Sequence, residues 1–452
     1  MSENFAKNTV SQSWTRPLVP PANCPDSADV VVIGGGIVGV STAWFLARQG
    51  ISVVLCEKGH IAGEQSGRNW GWVRQQGRDL RELPMMMASM RIWQQLEADI
   101  GESVGFVQGG CLFMARKQKE LDEFAVWAAD AKSYGMDTRI IDGRELDEQV
   151  AGASSQWIGA MYTASDGRAE PHKAATAIAR AAAAKGATIL TSCAVRGIET
   201  AGGRVASVVT EHGAIRTSTV LCAAGAWSSL FCRSLDIAVP QLKVKGTVVR
   251  TAPAPAVLNG NLFDEKIGIR RREDGGYTVA HGSILLHPIT PSTLRYASKF
   301  FPALRQEFKV LRLSFGKEFF EELAMPKHWA LDSESPFEKQ RVLNPEPVAS
   351  VVHRIKKNLG ATFPALANVE IAEAWAGMVE TSPDVVPIIC PIDSLPGFHL
   401  ATGFSGHGFG IGPGAGKAIA GMLTNTDSGI ALSEFRLQRF FDGSPIRPQS
   451  TV

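Results

Sequence analysis

The chain has 452 residues, of which 45% are hydrophobic, and a formal net charge of +2. This length allows two or three domains with a large core, and the mixed charges exclude an extended basic surface for nucleic acid. Its seven cysteines are scattered and form no C-x-x-C pair, which argues against a zinc site and for a reducing compartment. The sequence shows no secretory signal and no apolar run long enough to cross a bilayer, so we expect a cytoplasmic protein without a transmembrane segment.

A strand–turn–helix–strand pattern occupies residues 28–57. Between the two strands, Gly34, Gly36 and Gly39 have the G-x-G-x-x-G spacing, and Glu57 ends the second strand. The three glycines allow a tight turn, close approach of the backbone to a pyrophosphate, and packing of the helix on the sheet, while the acid binds a ribose diol. The pattern therefore predicts dinucleotide binding, with an ordinary glycine-rich turn as the alternative.

The next stretch, residues 59–77, is polar and glycine-rich and contains two tryptophans. A loop of this length within a compact domain is usually functional. It either wraps around a flat cofactor ring, which its place after the acid-tipped strand favours, or covers the core. Arg68 and Arg74 are charges in this loop that could meet an anionic substrate.

Periodicity and turn residues predict several further elements in the first half of the chain. They are helices at 83–100, 120–134 and 171–185, a hairpin at 104–115 turning at 109–110, and strands at 188–192, 204–211 and 217–222. The small residues at 223–228 follow a buried strand and permit close backbone approach to a cofactor.

From residue 239 the pattern changes to an antiparallel sheet, followed by helices near 291–301 and 347–359. The sheet strands are expected at 243–251, 268–271 and 277–281. Because this section lacks the alternation of strands and helices, we assign it to a separate substrate domain.

The last third returns to short strands and ends in a glycine-rich run. A strand is expected at 369–376 and a turn at 377–384, before two further strands. The glycine-rich run at 403–414 leads into a helix that reaches about residue 423. Such a run can lie flat against a ring, and the helix N-terminus would stabilise negative charge there; a merely flexible loop is the alternative.

Together these motifs resemble the FAD-dependent amino-acid and amine oxidoreductase family, which includes D-amino acid oxidase, glycine oxidase and sarcosine oxidase. The resemblance follows the chain in order and rests on 33–39 with Glu57, 66–69, 166–167 with Pro171, 223–228, 375–377 with 381–384, 403–412 and 435–441.

The resemblance implies an α/β fold (α+β overall). A Rossmann-like FAD-binding domain, discontinuous in sequence, should accompany a second, mixed antiparallel-sheet domain that binds the substrate. The expected division is an N-terminal arm at 1–27, the FAD-binding domain at 28–80, 155–238 and 372–436, the substrate-binding domain at 81–154 and 239–371, and a tail at 437–452.

The cofactor implied by the resemblance is FAD, with no metal. The ADP part should lie on 34–39 and Glu57, and the isoalloxazine between 66–71 and 404–412. Monomeric sarcosine oxidases carry a flavin-linked cysteine where this chain has Gly377, so the FAD is expected to be non-covalent. The expected cofactor-binding residues are Gly34, Gly36, Ile37, Val38, Gly39, Glu57, Lys58, Ser66, Gly67, Arg68, Asn69, Trp70, Gly71, Val195, Ala224, Gly225, Trp227, Gly377, Gly403, Gly406, His407, Gly408, Phe409 and Gly410.

The implied reaction is oxidation of the C–N bond of a small amino acid or secondary amine (N-methylated, cyclic or D-configured) to an imine by hydride transfer to flavin N5. Water then hydrolyses the imine. The substrate carboxylate requires an anchor, for which the arginine fork is suited.

Arg74 is the first candidate for this anchor and Arg270 and Arg271 are the second, although only one of these neighbours can face the site because strand side chains alternate. His407 and His281 are candidates to face the flavin or the substrate. Arg74 and His407 are the expected catalytic residues. Gly410 replaces a lysine that helps to hold the carboxylate in sarcosine oxidases, so it is expected to border the substrate.

Two other functions stay open. One is FAD-dependent oxidation of a hydroxy acid or polyol phosphate, which the arginine run 270–272 allows. The other is a flavoprotein subunit that passes electrons to a partner. The acceptor is oxygen or an electron carrier, and the sequence is compatible with a homo-oligomer.

Overall fold

A computed structural model describes residues 24–154, 156–307 and 310–448. The predicted strand–turn–helix–strand unit is present as Val30–Ile33, Ile37–Arg48 and Val53–Cys56. Both strands are buried along their whole length, as expected of a parallel sheet covered on two faces.

The described strands, numbered in chain order, are β1 Val30–Ile33, β2 Val53–Cys56, β3 Trp72–Val73, β4 Cys111–Ala115, β5 Arg139–Ile141, β6 Gly159–Thr163, β7 Gly167–Arg168, β8 Thr188–Leu190, β9 Val195–Ala201, β10 Arg204–Thr210, β11 Gly213–Arg216, β12 Val220–Cys222, β13 Leu242–Thr251, β14 Asn261–Asp264, β15 Ile267–Arg271, β16 Tyr277–Ala280, β17 Leu285–Pro288, β18 Leu311–Ser314, β19 Ile371–Thr381, β20 Ile388–Pro391 and β21 Phe398–Thr402.

The described helices are α1 Ile37–Arg48, α2 Gln65–Arg68, α3 Leu83–Ile100, α4 Gln118–Lys132, α5 Gly143–Gln149, α6 Pro171–Ala184, α7 Ser228–Ser234, α8 Pro291–Arg295, α9 Ala297–Glu307, α10 Lys317–Leu323, α11 Pro336–Lys339, α12 Ala349–Thr362 and α13 Gly408–Thr424. Short 3₁₀ turns occur at Gly225–Trp227, Pro364–Leu366, Ser433–Phe435 and Leu437–Phe440.

The first sheet has six strands in the order β20-β21-β12-β1-β2-β8. All neighbours pair in parallel except β20 and β21. Successive β1 residues alternate between two cores: Val30 and Val32 face one, which includes α1, α6 and α13, whereas Val31 and Ile33 face the other. This covered parallel sheet confirms the predicted Rossmann-like fold.

The second sheet has ten strands, in the order β18-β17-β13-β16-β15-β14-β4-β6-β5, with β19 added to the free side of β13. β13 and β19 pair antiparallel from Leu242–Thr381 to Thr251–Ile371. β19 therefore extends this sheet toward the first one, and Thr381 forms a bridge with Phe404 in the glycine-rich run.

Several predicted elements need correction. The segment 104–115 is not a hairpin, because β4 pairs with β6 and β14 while Val107 forms a bridge with Arg168. Residues 377–381 are strand rather than turn, because β19 pairs with β13 over its whole length. Strands β9 and β11 were not predicted.

Two strands near the predicted domain boundaries belong to the second sheet. β6 follows the boundary at 155 but pairs with β4 in the second sheet, and most of β19 follows the boundary at 372 but pairs with β13. Of the expected arm, residues 1–23 lie outside the described part of the chain, and Ser27 forms a bridge with Arg216.

The expected tail is anchored through a buried ion pair. Arg439 donates to both carboxylate oxygens of Asp384 at 2.9 Å. Residues 449–452 lie outside the described residues. Within the described chain, no helix combines the length and the apolar character needed to cross a bilayer.

Candidate active site

The main cavity, of about 1220 Å³, lies where β1, β2 and β12 end, and is lined there by Ile33, Cys56 and Ala223. The carboxyl edge of a parallel sheet is the usual ligand site of such folds. The predicted cofactor residues that line this cavity are Gly34, Gly36, Ile37, Val38, Glu57, Lys58, Ser66, Asn69, Val195, Ala224, Gly225, Trp227, Gly406, Gly408 and Phe409.

The other predicted cofactor residues do not line this cavity. They are Gly39, Gly67, Arg68, Trp70, Gly71, Gly377, Gly403, His407 and Gly410. Gly39 has the packing role expected of the third glycine, because a Cβ there would lie 2.0 Å from Gly34 O. Arg68 donates to Gly63 O, Ala376 O and the side chain of Asn344, so it ties three segments together.

The glycine turn fits a dinucleotide. Gly34 has φ +110°, and a Cβ there would lie 2.5 Å from Ala223 O, so only glycine is accommodated. Gly36 leaves the entry to α1 open, and the nearest atom to a Cβ built there is Ser66 Oγ at 3.1 Å. Ser66 Oγ accepts a hydrogen bond from Ile37 N at 2.9 Å, which ties α2 to the start of α1.

Glu57 is positioned by two backbone amides. Its carboxylate oxygens accept from Gly35 N and Gly59 N, each at 2.7 Å. Burial raises the pKa of Glu57, and these two N–H groups offset part of that effect. A carboxylate has about four acceptor positions, so each oxygen can still receive a ribose hydroxyl.

Glu64 organises the middle of the cavity and was not predicted. It accepts from Trp227 Nε1 at 2.9 Å, from Lys58 Nζ at 2.8 Å and from Leu343 N at 3.0 Å. Lys58 Nζ also lies 4.2 Å from the Trp227 ring centroid. No local motif marks Glu64, because two of its three partners, Trp227 and Leu343, are distant along the chain.

The far end of the cavity is formed by α2, β19 and the glycine-rich run. Gln65, Ser66 and Asn69 lie on one side, while Met378, Glu380 and Phe404 complete the wall. α13 begins at Gly408, so its N-terminus lies at this end. This arrangement supports the predicted place of a flat ring between α2 and the glycine-rich run.

A polar cluster lies next to the glycine-rich run, which contributes His407 to it. The cluster consists of Arg74, Gln76, Arg78, Glu82 and His407. Arg78 donates from Nε to Arg74 O at 2.8 Å and from Nη2 to His407 O at 3.1 Å. Glu82 Oε2 lies 3.5 Å from His407 Nδ1 and 3.7 Å from Arg78 Nη1.

Several buried atoms of this cluster have no hydrogen-bond partner among the described residues. They are Gln76 Nε2, Arg78 Nη1, both Glu82 carboxylate oxygens and His407 Nδ1. Buried polar atoms are nearly always paired with protein, water or ligand. The cluster is thus equipped to bind water or the polar groups of a small molecule.

Burial and charge set the protonation of the cluster. Burial raises the pKa of Glu82, but His407, Arg78 and Arg74 outweigh it and bring the net pKa below its usual value. Burial lowers the pKa of His407, with Glu82 offsetting part of the effect. Burial also lowers the pKa of Arg78 to about 10. At neutral pH the cluster therefore holds an ionised Glu82 beside a His407 that readily loses its proton.

Arg74 does not line the main cavity but lies inside the cluster, 6% exposed. Its Nη1 donates to Gln76 O, and its guanidinium carbon lies 5.2 Å from the Phe113 ring centroid. The structure gives its Nε and Nη2 no hydrogen-bond partner among the described residues.

The other candidate anchors lie elsewhere. Arg270 forms a bidentate pair with Glu170 at 2.8 and 2.9 Å, and Arg271 donates to Tyr277 Oη at 2.8 Å. Neither lines the main cavity; Arg270 lines a smaller one of about 450 Å³ with Arg250 and Arg272. His281 is half-buried, and its Nδ1 accepts from Ser283 N at 3.1 Å.

Two glycines at predicted functional positions are closely packed. A Cβ at Gly377 would lie 2.5 Å from Gln65 Oε1, and one at Gly410 would lie 3.1 Å from Trp72 O. The Gly410 carbonyl accepts from Ser89 Oγ and Trp93 Nε1 at 2.7 and 2.8 Å. Gly410 therefore allows α13 to pack closely against α3 and β3. There is no open space beside it for a substrate.

Comparison with known proteins gives the family. The model of the family described as FAD dependent oxidoreductase matches residues 29–422. The chain is 25% identical to human mitochondrial sarcosine dehydrogenase over 97% of this chain and 44% of the relative, so it spans less than half of that protein. It is 25% identical to sarcosine oxidase subunit beta from Arthrobacter sp, over 92% of both chains.

Among solved structures, L-amino acid deaminase from Proteus myxofaciens in complex with anthranilate superposes with a TM-score of 0.91 at 33% identity, over 94% of this chain and 96% of that one. The family match, the glycine turn with Glu57 and the lining of the main cavity by α2 and the glycine-rich run agree on FAD as the cofactor. The chain belongs to the family of FAD-dependent oxidoreductases.

Proposed function

We propose that the protein oxidises the C–N bond of an α-amino acid to an imine, which water then hydrolyses. The observation that carries this proposal is the guanidinium of Arg74, which is buried in the polar cluster with His407 and whose Nε and Nη2 have no hydrogen-bond partner among the described residues. Asp166 and Glu82 act on Arg74 through their charge, but neither forms a direct ion pair with it. Such a buried arginine fork is suited to a carboxylate, because two parallel N–H donors match its two oxygens.

His407 and Glu82 supply the second requirement, which is a proton acceptor for the substrate ammonium. The His407 backbone is already committed, since its N donates to Phe404 O and its O accepts from Arg78. Its ring is held beside Glu82, whose charge favours proton uptake. The imidazole can therefore accept the proton that the ammonium must lose before oxidation.

FAD, which Gly34, Gly36 and Glu57 would hold, would supply the oxidising power for removal of a hydride from the substrate α-carbon. The chain's own contribution is to orient the substrate through Arg74, to take its proton at His407, and to keep bulk water away with Phe404, Phe409 and Met378 around the ring end of the cavity.

The relatives rank the candidate classes of substrate but do not identify a single substrate. The likeness to an L-amino acid deaminase at 33% identity puts a primary L-amino acid first. N-methylated amino acids come next, because the relatives at 25% identity act on sarcosine by name. Cyclic and D-configured amino acids complete the set of candidates.

A flavoprotein subunit that transfers electrons to a partner is the second candidate function, and one observation favours it. The segment 291–323 exposes large apolar side chains, which are Leu294, Phe301, Leu313, Phe315 and Phe320, together with Leu323. Contiguous exposed apolar surface is typical of interaction sites.

No comparable observation favours a polyol phosphate. The three arginines that line the small cavity are already paired, Arg250 with Glu373, Arg270 with Glu170, and Arg272 with Asp274.

The test is the anaerobic visible spectrum of the FAD-loaded protein during addition of candidate substrates. The panel contains L- and D-alanine, L-phenylalanine, N-methylglycine, both enantiomers of proline, and glycerol 3-phosphate. Bleaching by an amino acid supports the proposal and identifies its class. Bleaching by the phosphate ester alone contradicts it.

A further inference from the structure

We propose that a second cavity, which shares part of its wall with the main cavity, binds the electron acceptor, and that this acceptor is an uncharged two-electron carrier of the quinone class. The inference rests on the proposed function, because an amino acid that loses a hydride and a proton requires an acceptor for two electrons. This cavity of about 1420 Å³ lies between β13, α7 and the helices α8 and α10.

The two cavities meet at the expected flavin ring. Trp227 and Met378 line both of them. Side chains on a strand alternate, so Met378 and Glu380 project to one face of β19 while Gly377 and Val379 project to the other. On that other face, a Cβ at Gly406, the neighbour of His407, would lie 3.6 Å from Val379 Cγ1. None of the five residues of the polar cluster lines the second cavity, so a substrate held in the cluster and a ligand in the second cavity would contact different residues.

Lys243 provides a donor at the inner end of the second cavity. It lies on β13 opposite Glu380, and its Nζ is 5.4 Å from the Trp227 ring centroid. The structure shows no hydrogen bond from this ammonium to any described residue. Of the acids that act on this ammonium, Glu322 lines the same cavity, and Glu64 already receives Lys58, Trp227 and Leu343 N. Lys243 is therefore available to a carbonyl oxygen of a ligand.

The walls favour an uncharged, apolar ligand. Apolar side chains form much of the lining, which includes Leu230, Ile237, Leu242, Met325 and Leu343. Its basic and acidic side chains are equal in number, namely Arg233, Lys243, Arg295 and Lys327 against Asp236, Glu318, Glu321 and Glu322. One such pair, Lys327 and Asp236, is joined at 2.6 Å. The positive and negative side chains of the lining are equal in number, so their net charge favours neither a cationic nor an anionic ligand.

The outer wall lies in apolar surface. Neither α8 nor α10 has a buried residue, yet both carry large apolar side chains. Leu294 is 65% exposed, Phe320 59% and Leu323 64%. These three side chains do not line the cavity but form apolar surface on the same two helices, where a ligand that partitions from water would concentrate. Quinones combine that property with a carbonyl that accepts a hydrogen bond.

The overall reaction balances. One C–H and one N–H bond of the substrate break, and two O–H bonds form on the acceptor. An amino acid in its ammonium form plus a quinone gives the iminium form plus a quinol, with two electrons transferred and no proton left over.

The experiment measures equilibrium binding of a ubiquinone with one isoprenoid unit to the FAD-loaded protein by isothermal titration calorimetry. We expect Lys243→Met to raise Kd at least tenfold, because the donor to the carbonyl is lost. Lys317→Met is the matched control, since Lys317 is exposed on α10 outside the cavity, and its Kd should equal that of the wild type. Met325→Trp, which narrows the cavity from its wall, provides a second variant and should also weaken binding.

A second titration is made with the protein saturated with anthranilate, as a carboxylate ligand that is not oxidised. Independent sites predict an unchanged quinone Kd. The proposal is overturned by absence of quinone binding, by an equal Kd in Lys243→Met and wild type, or by mutual exclusion of quinone and anthranilate. The anaerobic spectrum with amino acids tests the proposed function separately, so failure of one is distinguishable from failure of the other.

Discussion

Glu82 Oε2 and His407 Nδ1 lie 3.5 Å apart in a site where the two side chains are 0% and 8% exposed. Glu82 immediately precedes α3 and His407 immediately precedes α13, so the pair joins the starts of two helices that pack together. Such a buried carboxylate fixes the orientation and the proton affinity of an imidazole.

Replacing Glu82 tests this relationship. In Glu82→Gln the pKa of His407 should fall further, because burial lowers it and the offsetting charge is gone. The neutral ring is the proton acceptor, so the pH below which the rate of anaerobic flavin reduction falls (the acid limb of the profile) should be lower in the variant. The maximal rate, reached at higher pH, should also drop because the base is weaker. Stopped-flow reduction across the pH range measures both.

Glu123→Gln on the exposed face of α4 is the control, with 66% of its side chain accessible. Its pH profile should match the wild type. An unshifted limb in Glu82→Gln, with FAD fully bound, would mean that His407 is not the group that sets the profile.

Arg74 can be tested as the carboxylate anchor. Arg74→Gln should raise the amino-acid concentration for half-maximal flavin reduction by roughly 10- to 100-fold, the range for loss of hydrogen bonds to a charged group. Arg74→Lys should recover only part of the loss, because an ammonium lacks the planar fork. Exposed Arg91→Gln on α3 is the control. An equal loss with an amine that lacks a carboxylate would contradict the assignment.

The glycine turn makes a prediction about cofactor retention. Gly34→Ala should lose FAD on gel filtration, because the new Cβ would meet Ala223 O at 2.5 Å and displace the turn. Gly50→Ala is the matched control within the same unit: Gly50 also has positive φ, +76°, but no atom lies within 4 Å of its Cβ position. It should bear only the backbone strain, about 1–2 kcal/mol, and retain FAD. Equal retention of FAD in Gly34→Ala and Gly50→Ala would contradict the steric explanation.

How much of this could be read from the sequence depends on the range of the interactions. The βαβ unit from Val30 to Cys56 follows from local patterns, as does α3, whose predicted limits agree with Leu83–Ile100. The hairpin at 104–115 was wrong because distant strands β6 and β14 supply the partners of β4.

The candidate site shows the same difference between local motifs, which the sequence reveals, and contacts between distant segments, which it does not. Gly34, Gly36 and Glu57 belong to one local motif and line the main cavity, whereas Glu64 and Glu82 carry no local signal. Glu82 meets His407 from 325 positions away along the chain, counted from their residue numbers. Arg270 had the right residue type, but its acid partner Glu170 lies 100 positions away and could not be foreseen.

The last prediction concerns Asp166, which holds the backbone that follows Arg74. Asp166 is fully buried and accepts from Gln75 N at 2.7 Å and Gln76 N at 3.1 Å. Burial raises the pKa of Asp166 to about 6, against an ordinary value of 3.8, although these amides and Arg74 offset part of the effect. A folded-state pKa above the unfolded value means that the folded protein binds the proton more tightly.

The stability contributed by this proton is therefore fully present below pH 3.8 and is lost as the pH rises through about 6. The loss is on the order of 3 kcal/mol for a shift of this size. Asp166→Asn cannot ionise, so the wild type should lose unfolding free energy across this window relative to Asp166→Asn, whatever their absolute difference. Urea unfolding at several pH values measures it, with exposed Asp130→Asn as the control. Parallel pH curves for wild type and Asp166→Asn would show that Asp166 is ionised throughout, held by the charge of Arg74.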